Sequence, residues 1–130
     1  MEIVFYLFTF LVIGSIIFSL YFFQIPTNKT SLKDLYAEGL DMLVAGKRNS
    51  AYKNFKSIIE QDSNNIKAYL YLGQVVREGG NPKKALEIHK NLLLRNKMSN
   101  YDKVELYKNL SLDYYQLNNI KKSIEYSKMI

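Results

Sequence analysis

The stretch "LKDLYAEGLDMLVAGKRNSAYKNFKSIIEQDSNN", residues 32–65, decides the fold because the chain repeats it. The following stretch, "IKAYLYLGQVVREGGNPKKALEIHKNLL" from residue 66, aligns beneath it without a gap. In this alignment Gly39 lies over Gly73, and Ala51 lies over Ala85. A third copy, "VELYKNLSLDYYQLNNIKKSIEYSKMI", begins at residue 104 after a longer link around "RNKMSNYDK". The chain is therefore built by repetition after its first 30 residues.

A period of 34 residues with paired helices is the tetratricopeptide pattern. Gly39 and Gly73 fall inside the first helix of their repeats, where glycine costs about 1 kcal/mol relative to alanine, so we expect a closely packed neighbouring helix. Gly46 and the pair Gly79–Gly80 end the first helices, where positive φ is needed. Asn81 and Pro82 predict the start of the next helix.

Two further helix starts are predicted, one at Ser31 and one at Ser99. Ser31 with Asp34, and Ser99 with Asp102, have the spacing of a capping box, with Asp in place of the usual Glu. No stretch alternates like a strand, so the fold class is all-α, a stack of helical hairpins (an α-solenoid). The repeats are placed at about residues 32–65, 66–103 and 104–130, the last incomplete.

The first residues predict a membrane anchor. Residues 3–23 contain no charged side chain, and a helix of 21 residues spans roughly 32 Å, close to the ~30 Å core of a bilayer. A cleaved signal peptide would have a basic start and a shorter apolar run. The chain is thus divided into a transmembrane anchor (1–23), a linker (24–30) and a repeat domain (31–130).

The distribution of lysines predicts the side of the membrane. No basic residue precedes the apolar segment, whereas Lys29 and Lys33 follow it closely. The positive-inside tendency then places the repeats in the cytoplasm, as a single-pass protein of the cell membrane. The alternative is a repeat scaffold that faces the periplasm and assists envelope or cytochrome assembly.

The composition argues against catalysis, metal binding and nucleic-acid binding. The chain has no cysteine and only one histidine, His89, which leaves little for metal binding or base catalysis. His89 lies in the repeat position of Phe55, so we expect it to pack between helices. The net charge is +6, but acidic residues are mixed through the chain, which is typical of a solvated surface. We expect no catalytic residues, no metal, no cofactor and no nucleic-acid partner.

The binding surface is predicted from the repeat geometry, because the first helices of successive repeats line a concave groove. Arg77 and Lys108 are expected to pair with carboxylates of a partner. The predicted partner-binding residues are Lys67, Leu70, Gln74, Arg77, Glu78, Glu105, Lys108, Leu112, Tyr115 and Gln116, with Lys33, Tyr36, Leu40, Leu43 and Val44 at the matching positions of the first repeat.

The second repeat and the link that follows it resemble the lipopolysaccharide assembly protein B family. The residues that carry this resemblance are Ile88, His89, Asn91, Leu92 and Arg95, followed by Leu110, Asp113 and Tyr114. The order of parts in this chain, one membrane helix followed by cytoplasmic repeats, also resembles that family.

The resemblance implies a protein-binding adaptor of the inner membrane, not an enzyme. Such an adaptor regulates lipopolysaccharide synthesis by coupling a membrane protease to degradation of a deacetylase. The family has further repeats and a cysteine-bearing metal module, which this sequence lacks. We therefore expect either a fragment or a chain whose exposed apolar edge is covered by a partner.

Overall fold

The computed structural model describes residues 1–23 and 30–130. Within these ranges every regular element is a helix, which confirms the all-α prediction. Apart from Thr30, the predicted linker lies outside the described residues. The helices are α1 (Glu2–Phe23), α2 (Leu32–Val44), α3 (Arg48–Gln61), α4 (Ile66–Glu78), α5 (Pro82–Leu93), α6 (Asn100–Gln116) and α7 (Ile120–Ser127).

Helices α2 to α7 form three helical hairpins that stack in chain order. Unit 1 is α2 with α3, unit 2 is α4 with α5, and unit 3 is α6 with α7; each pair is in close contact. Helix α3 packs against α4, α5 packs against α6, and α4 also packs against α6. Each unit therefore covers its apolar side with the next, as expected for an α-solenoid.

The predicted turn and cap residues mark helix ends in the structure, except that Gly79 has φ −75° and not the predicted positive value. Gly46 has φ +71° and Gly80 has φ +88°, and in unit 3 the equivalent position is filled by Asn118 with φ +58°. Asparagine is the residue after glycine that best tolerates this left-handed conformation. Ser31 and Ser99 accept hydrogen bonds from the backbone N–H of the residues three positions later, which confirms both helix starts.

Close helix packing explains the interior glycines. A Cβ atom added at Gly39 would lie 3.0 Å from the ring of Phe55, and one added at Gly73 would lie 2.2 Å from the ring of His89. Both rings are fully buried. His89 thus occupies the slot of Phe55, as the alignment predicts.

Two apolar clusters hold the stack together. The first joins units 1 and 2 through Leu35, Ala51, Phe55, Ile58, Ala68, Leu72 and Val75. The second joins units 2 and 3 through Leu70, Leu92, Leu106 and Leu110. Tyr114 stacks on Tyr126 with ring centroids 5.6 Å apart inside unit 3. Ile120, Ile124 and Met129 remain about half exposed, so unit 3 presents the apolar edge that the sequence predicts.

Helix α1 is separate from this packing. Its Glu2–Tyr21 portion has a mean hydropathy of 2.5, and none of it is buried against the repeats. Among the described residues it is the one helix long and apolar enough to cross a membrane.

Candidate functional site

The three first helices, α2, α4 and α6, converge on one small pocket of about 70 Å³. We call it the first-helix pocket. Its lining residues are Tyr36 from α2, Lys67, Leu70 and Tyr71 from α4, and Tyr101, Asp102 and Glu105 from α6. The first turn of α6 contributes because this helix begins at Asn100, before the third copy of the repeat starts at residue 104. The pocket therefore joins all three units.

Tyrosine rings form one wall of the pocket. The ring of Tyr36 meets the ring of Tyr71 edge to face, with centroids 5.6 Å apart. Burial raises the pKa of Tyr36 above the value of about 10 that is ordinary for tyrosine, and Tyr71 adds to the shift. The hydroxyl of Tyr36 is therefore a neutral hydrogen-bonding group at physiological pH, suited to a peptide backbone or side chain.

Lys67 supplies an available positive charge at the pocket. Its side chain is exposed, and its Nζ lies 6.0 Å from the centroid of the Tyr101 ring. The two carboxylates of the pocket have other partners: Asp102 accepts a hydrogen bond of 2.6 Å from Ser99 Oγ, and Glu105 lies 3.3 Å from Lys108 Nζ. Lys67 makes no ion pair within the described ranges.

The predicted partner-binding residues divide into three groups in the structure. Lys67, Glu78, Lys108, Leu112, Tyr115 and Gln116 are exposed, Gln74 and Glu105 are half-buried, and Leu70 and Arg77 are buried. Of the exposed and half-buried ones, Lys67 and Glu105 line the first-helix pocket, together with the predicted Tyr36.

The prediction that Arg77 faces a partner from the groove is wrong. Its side chain is only 6% exposed, and its Nη1 donates to Asp113 Oδ1 at 3.0 Å and to Asn109 Oδ1 at 2.9 Å. Helix α6 packs on α4 at this point, so the guanidinium is enclosed between units 2 and 3. Its carboxylate partner belongs to this chain.

Leu70 lines the first-helix pocket, but the prediction that packing does not require it is wrong. It is 6% exposed and packs with Leu92, Leu106 and Leu110. Its side chain belongs to the core between units 2 and 3 and closes the floor of the pocket.

His89 has a carboxylate partner that the sequence analysis did not identify. Its Nδ1 lies 2.5 Å from Asp113 Oδ2, and its Nε2 lies 3.2 Å from the carbonyl oxygen of Leu70. Both side chains have no exposed surface, so the imidazole and carboxylate are out of reach of any substrate. Elsewhere in the described ranges, no cluster of three or more His, Cys, Asp or Glu residues is placed to hold a metal ion.

Tyr71, Tyr101 and Asp102 are the pocket residues that sequence reasoning did not place at the binding surface, although Asp102 was predicted as part of a helix cap. Tyr101 lies in the longer link, so it has no counterpart in the other repeats. The capping box at Ser99 and Asp102 was the available signal, because it places Tyr101 in the first turn of α6.

Comparison with known proteins identifies the fold alone. No protein-family model matches the chain, and no curated protein matches it. Among solved structures it is similar to "Crystal structure of MamA protein", with a TM-score of 0.64 and 20% identity over 78% of this chain. The chain spans about half of that structure, 53% of its length. The likeness shows a tetratricopeptide-like helical fold, and the relationship to the lipopolysaccharide assembly protein B family is not shown by any of these comparisons.

Proposed function

We propose that the protein is a membrane-anchored adaptor that holds a segment of a partner protein in its first-helix pocket. A tetratricopeptide-type fold supports protein–protein interaction in general. The single observation that carries the proposal is the convergence of three helices on an aromatic pocket beside Lys67, a cation without an ion-pair partner in the described chain.

The partner segment that suits the pocket places a carboxylate at Lys67, away from Asp102 and Glu105, with an apolar side chain next to it. Lys67 would pair with the carboxylate, while the rings of Tyr36 and Tyr71 offer apolar contact and hydroxyl groups. Leu112 and Tyr115, which are 47% and 62% exposed on α6, extend the contact surface along the same helix. Aromatic side chains that combine apolar area with a polar group are favoured in such interfaces.

Lys67 provides the direct test. Replacing Lys67 with Glu should lower partner co-purification at least about tenfold, because a like charge opposite the partner carboxylate is repulsive. The matched control is Lys90→Glu, which makes the same charge change at an exposed position on α5. Equal loss in both variants, or no loss in either, would reject the pocket as the binding site.

Membrane attachment through α1 is part of the proposal. It is supported by the length and hydropathy of the helix, and Lys29 and Lys33 favour the cytoplasmic side of the inner membrane. A phosphatase fusion after Ile130 would be inactive in the cytoplasm and active in the periplasm. An active fusion would instead support the periplasm-facing scaffold.

The resemblance of residues 72–95 to the lipopolysaccharide assembly protein B family suggests particular partners. These are a membrane protease and the deacetylase that commits substrate to lipid A. The adaptor would bring the two together, so deleting it should raise the deacetylase level. An unchanged half-life of the deacetylase would separate this chain from that pathway while leaving the adaptor proposal standing.

A further inference from the structure

The interface between units 2 and 3 is a charged version of the interface between units 1 and 2. Four equivalent repeat positions meet at each interface. Between units 1 and 2 these positions hold Leu43, Phe55, Tyr71 and Val75, all part of or packed against an apolar cluster. Between units 2 and 3 they hold Arg77, His89, Asn109 and Asp113, each at most 7% exposed. We call this second set the polar joint.

The side chains of the polar joint satisfy one another across three helices. Arg77 from α4 donates to Asp113 and Asn109 from α6, while His89 from α5 meets the other oxygen of Asp113. The second nitrogen of His89 contacts the carbonyl oxygen of Leu70 on α4. The joint therefore depends on the hydrogen-bonding state of one imidazole ring.

Both nitrogens of that ring face acceptors. The Leu70 carbonyl oxygen can only accept, and Asp113 is paired with Arg77 and so acts as a carboxylate acceptor. A neutral imidazole carries one N–H and one lone pair, so one contact would become a repulsive meeting of a lone pair with an oxygen. Two N–H groups, as in imidazolium, satisfy both contacts.

We propose that the polar joint is a proton-dependent latch, in which His89 holds both ring protons when unit 3 is packed on unit 2. The charged groups that face the ring are Asp113 from α6 and, through it, Arg77 from α4. Loss of one proton leaves a neutral ring that cannot donate to both acceptors, so the charged contact between His89 and Asp113 on α6 weakens and α6 loosens. Because α6 carries Tyr101 and Glu105, opening also displaces one wall of the first-helix pocket; an effect on binding rests on the proposed function.

The direction of the pH dependence follows from proton linkage. The closed joint holds a proton through the contact of His89 with Asp113, and this contact is lost when α6 moves away. Opening at higher pH therefore releases a proton, and its equilibrium constant rises by up to about tenfold per pH unit. The joint is therefore more tightly closed at low pH and loosens as the pH rises.

Two measurements on the full chain in detergent micelles test the latch. Imidazole ¹⁵N spectra at pH 7 should show both nitrogens of His89 protonated. Hydrogen exchange of α6 amides, measured relative to α3 amides and corrected for intrinsic rates, should accelerate by up to about tenfold per unit between pH 7 and 8. A lone-pair nitrogen at pH 7, or an exchange ratio that does not change with pH, would overturn the proposal.

Unit 1 provides the matched control. The fourfold variant R77L, H89F, N109Y and D113V gives the polar joint the residues of the equivalent apolar interface. Its α6-to-α3 exchange ratio should be independent of pH, whereas a pH dependence equal to that of the native chain would assign the effect to other groups. Neither readout uses a partner, so failure of the proposed binding function would leave both interpretable.

Discussion

Gly39 and Gly73 occupy equivalent positions, but the groups opposite them differ in freedom to move. At Gly39 the neighbour is the ring of Phe55, which a Cβ would approach to 3.0 Å. At Gly73 the neighbour is His89, which a Cβ would approach to 2.2 Å and which Asp113 and Leu70 hold by hydrogen bonds. The same residue type therefore meets different constraints in the two units.

Replacing Gly73 with Ala should destabilise the fold by about 2 kcal/mol or more, because overpacking outweighs the gain in helix propensity. Replacing Gly39 with Ala should cost clearly less, since the Phe55 ring needs to move only a few tenths of an ångström. Urea unfolding of both variants, followed by circular dichroism in mild detergent, measures the difference. Equal effects would show that His89 is free to move aside.

The buried ion pair of Asp113 with Arg77 should contribute far more to stability than an ion pair on the surface. Asp113→Asn should destabilise the protein by about 3 kcal/mol, because it leaves the buried Arg77 without its counter-ion. Glu60→Gln removes the exposed pair of Lys56 and Glu60, 3.6 Å apart, and should cost less than about 0.5 kcal/mol. Unfolding free energies that are equal for the two variants would contradict the arrangement of the polar joint.

At the scale of elements, helix starts depend on the residue just before the first turn. Asn81 and Asn119 accept hydrogen bonds from the backbone N–H of Lys84 and Lys122, at 3.1 and 3.2 Å. The equivalent residue in unit 1 is Lys47, which makes no such side-chain bond although its backbone has a similar shape. Among the second helices of the three units, α3 is therefore the one that starts without a side-chain cap.

Lys47→Asn should stabilise the protein by about 1 kcal/mol by adding the cap that the other two units have. Slower hydrogen exchange in the first turn of α3 would locate the gain, and Lys53→Asn, an exposed change later in the same helix, is the control. No gain at Lys47 would mean that an asparagine there does not reach the free N–H groups.

Local signals explain why the elements could be predicted from sequence. Positive φ at Gly46 and Gly80, and caps at Ser31 and Ser99, depend on neighbours within a few residues. The cap at Asn81 likewise accepts from a backbone N–H three residues later, that of Lys84. Such features can therefore be inferred from a short stretch of the chain.

At the scale of the whole molecule, the partners of a side chain depend on which units meet, and this is where prediction failed for Arg77 and Leu70. The repeat position of Arg77 indicates a groove, but α6 packs over it and supplies Asp113. The available signal was the set of polar residues at four repeat positions, Arg77, His89, Asn109 and Asp113, which are held by Leu43, Phe55, Tyr71 and Val75 in the preceding interface. Tyr101 was missed for a different reason, because the longer link has no equivalent to compare.

In-cell photo-cross-linking tests most directly whether the first-helix pocket holds a partner protein. A photoreactive residue at Tyr101 should form an adduct with a discrete partner, and Lys67→Glu should reduce its yield at least about tenfold. The same residue at Lys90, exposed on α5, should give no such adduct. Equal adducts at both positions, or an adduct at Tyr101 that Lys67→Glu leaves unchanged, would contradict the account.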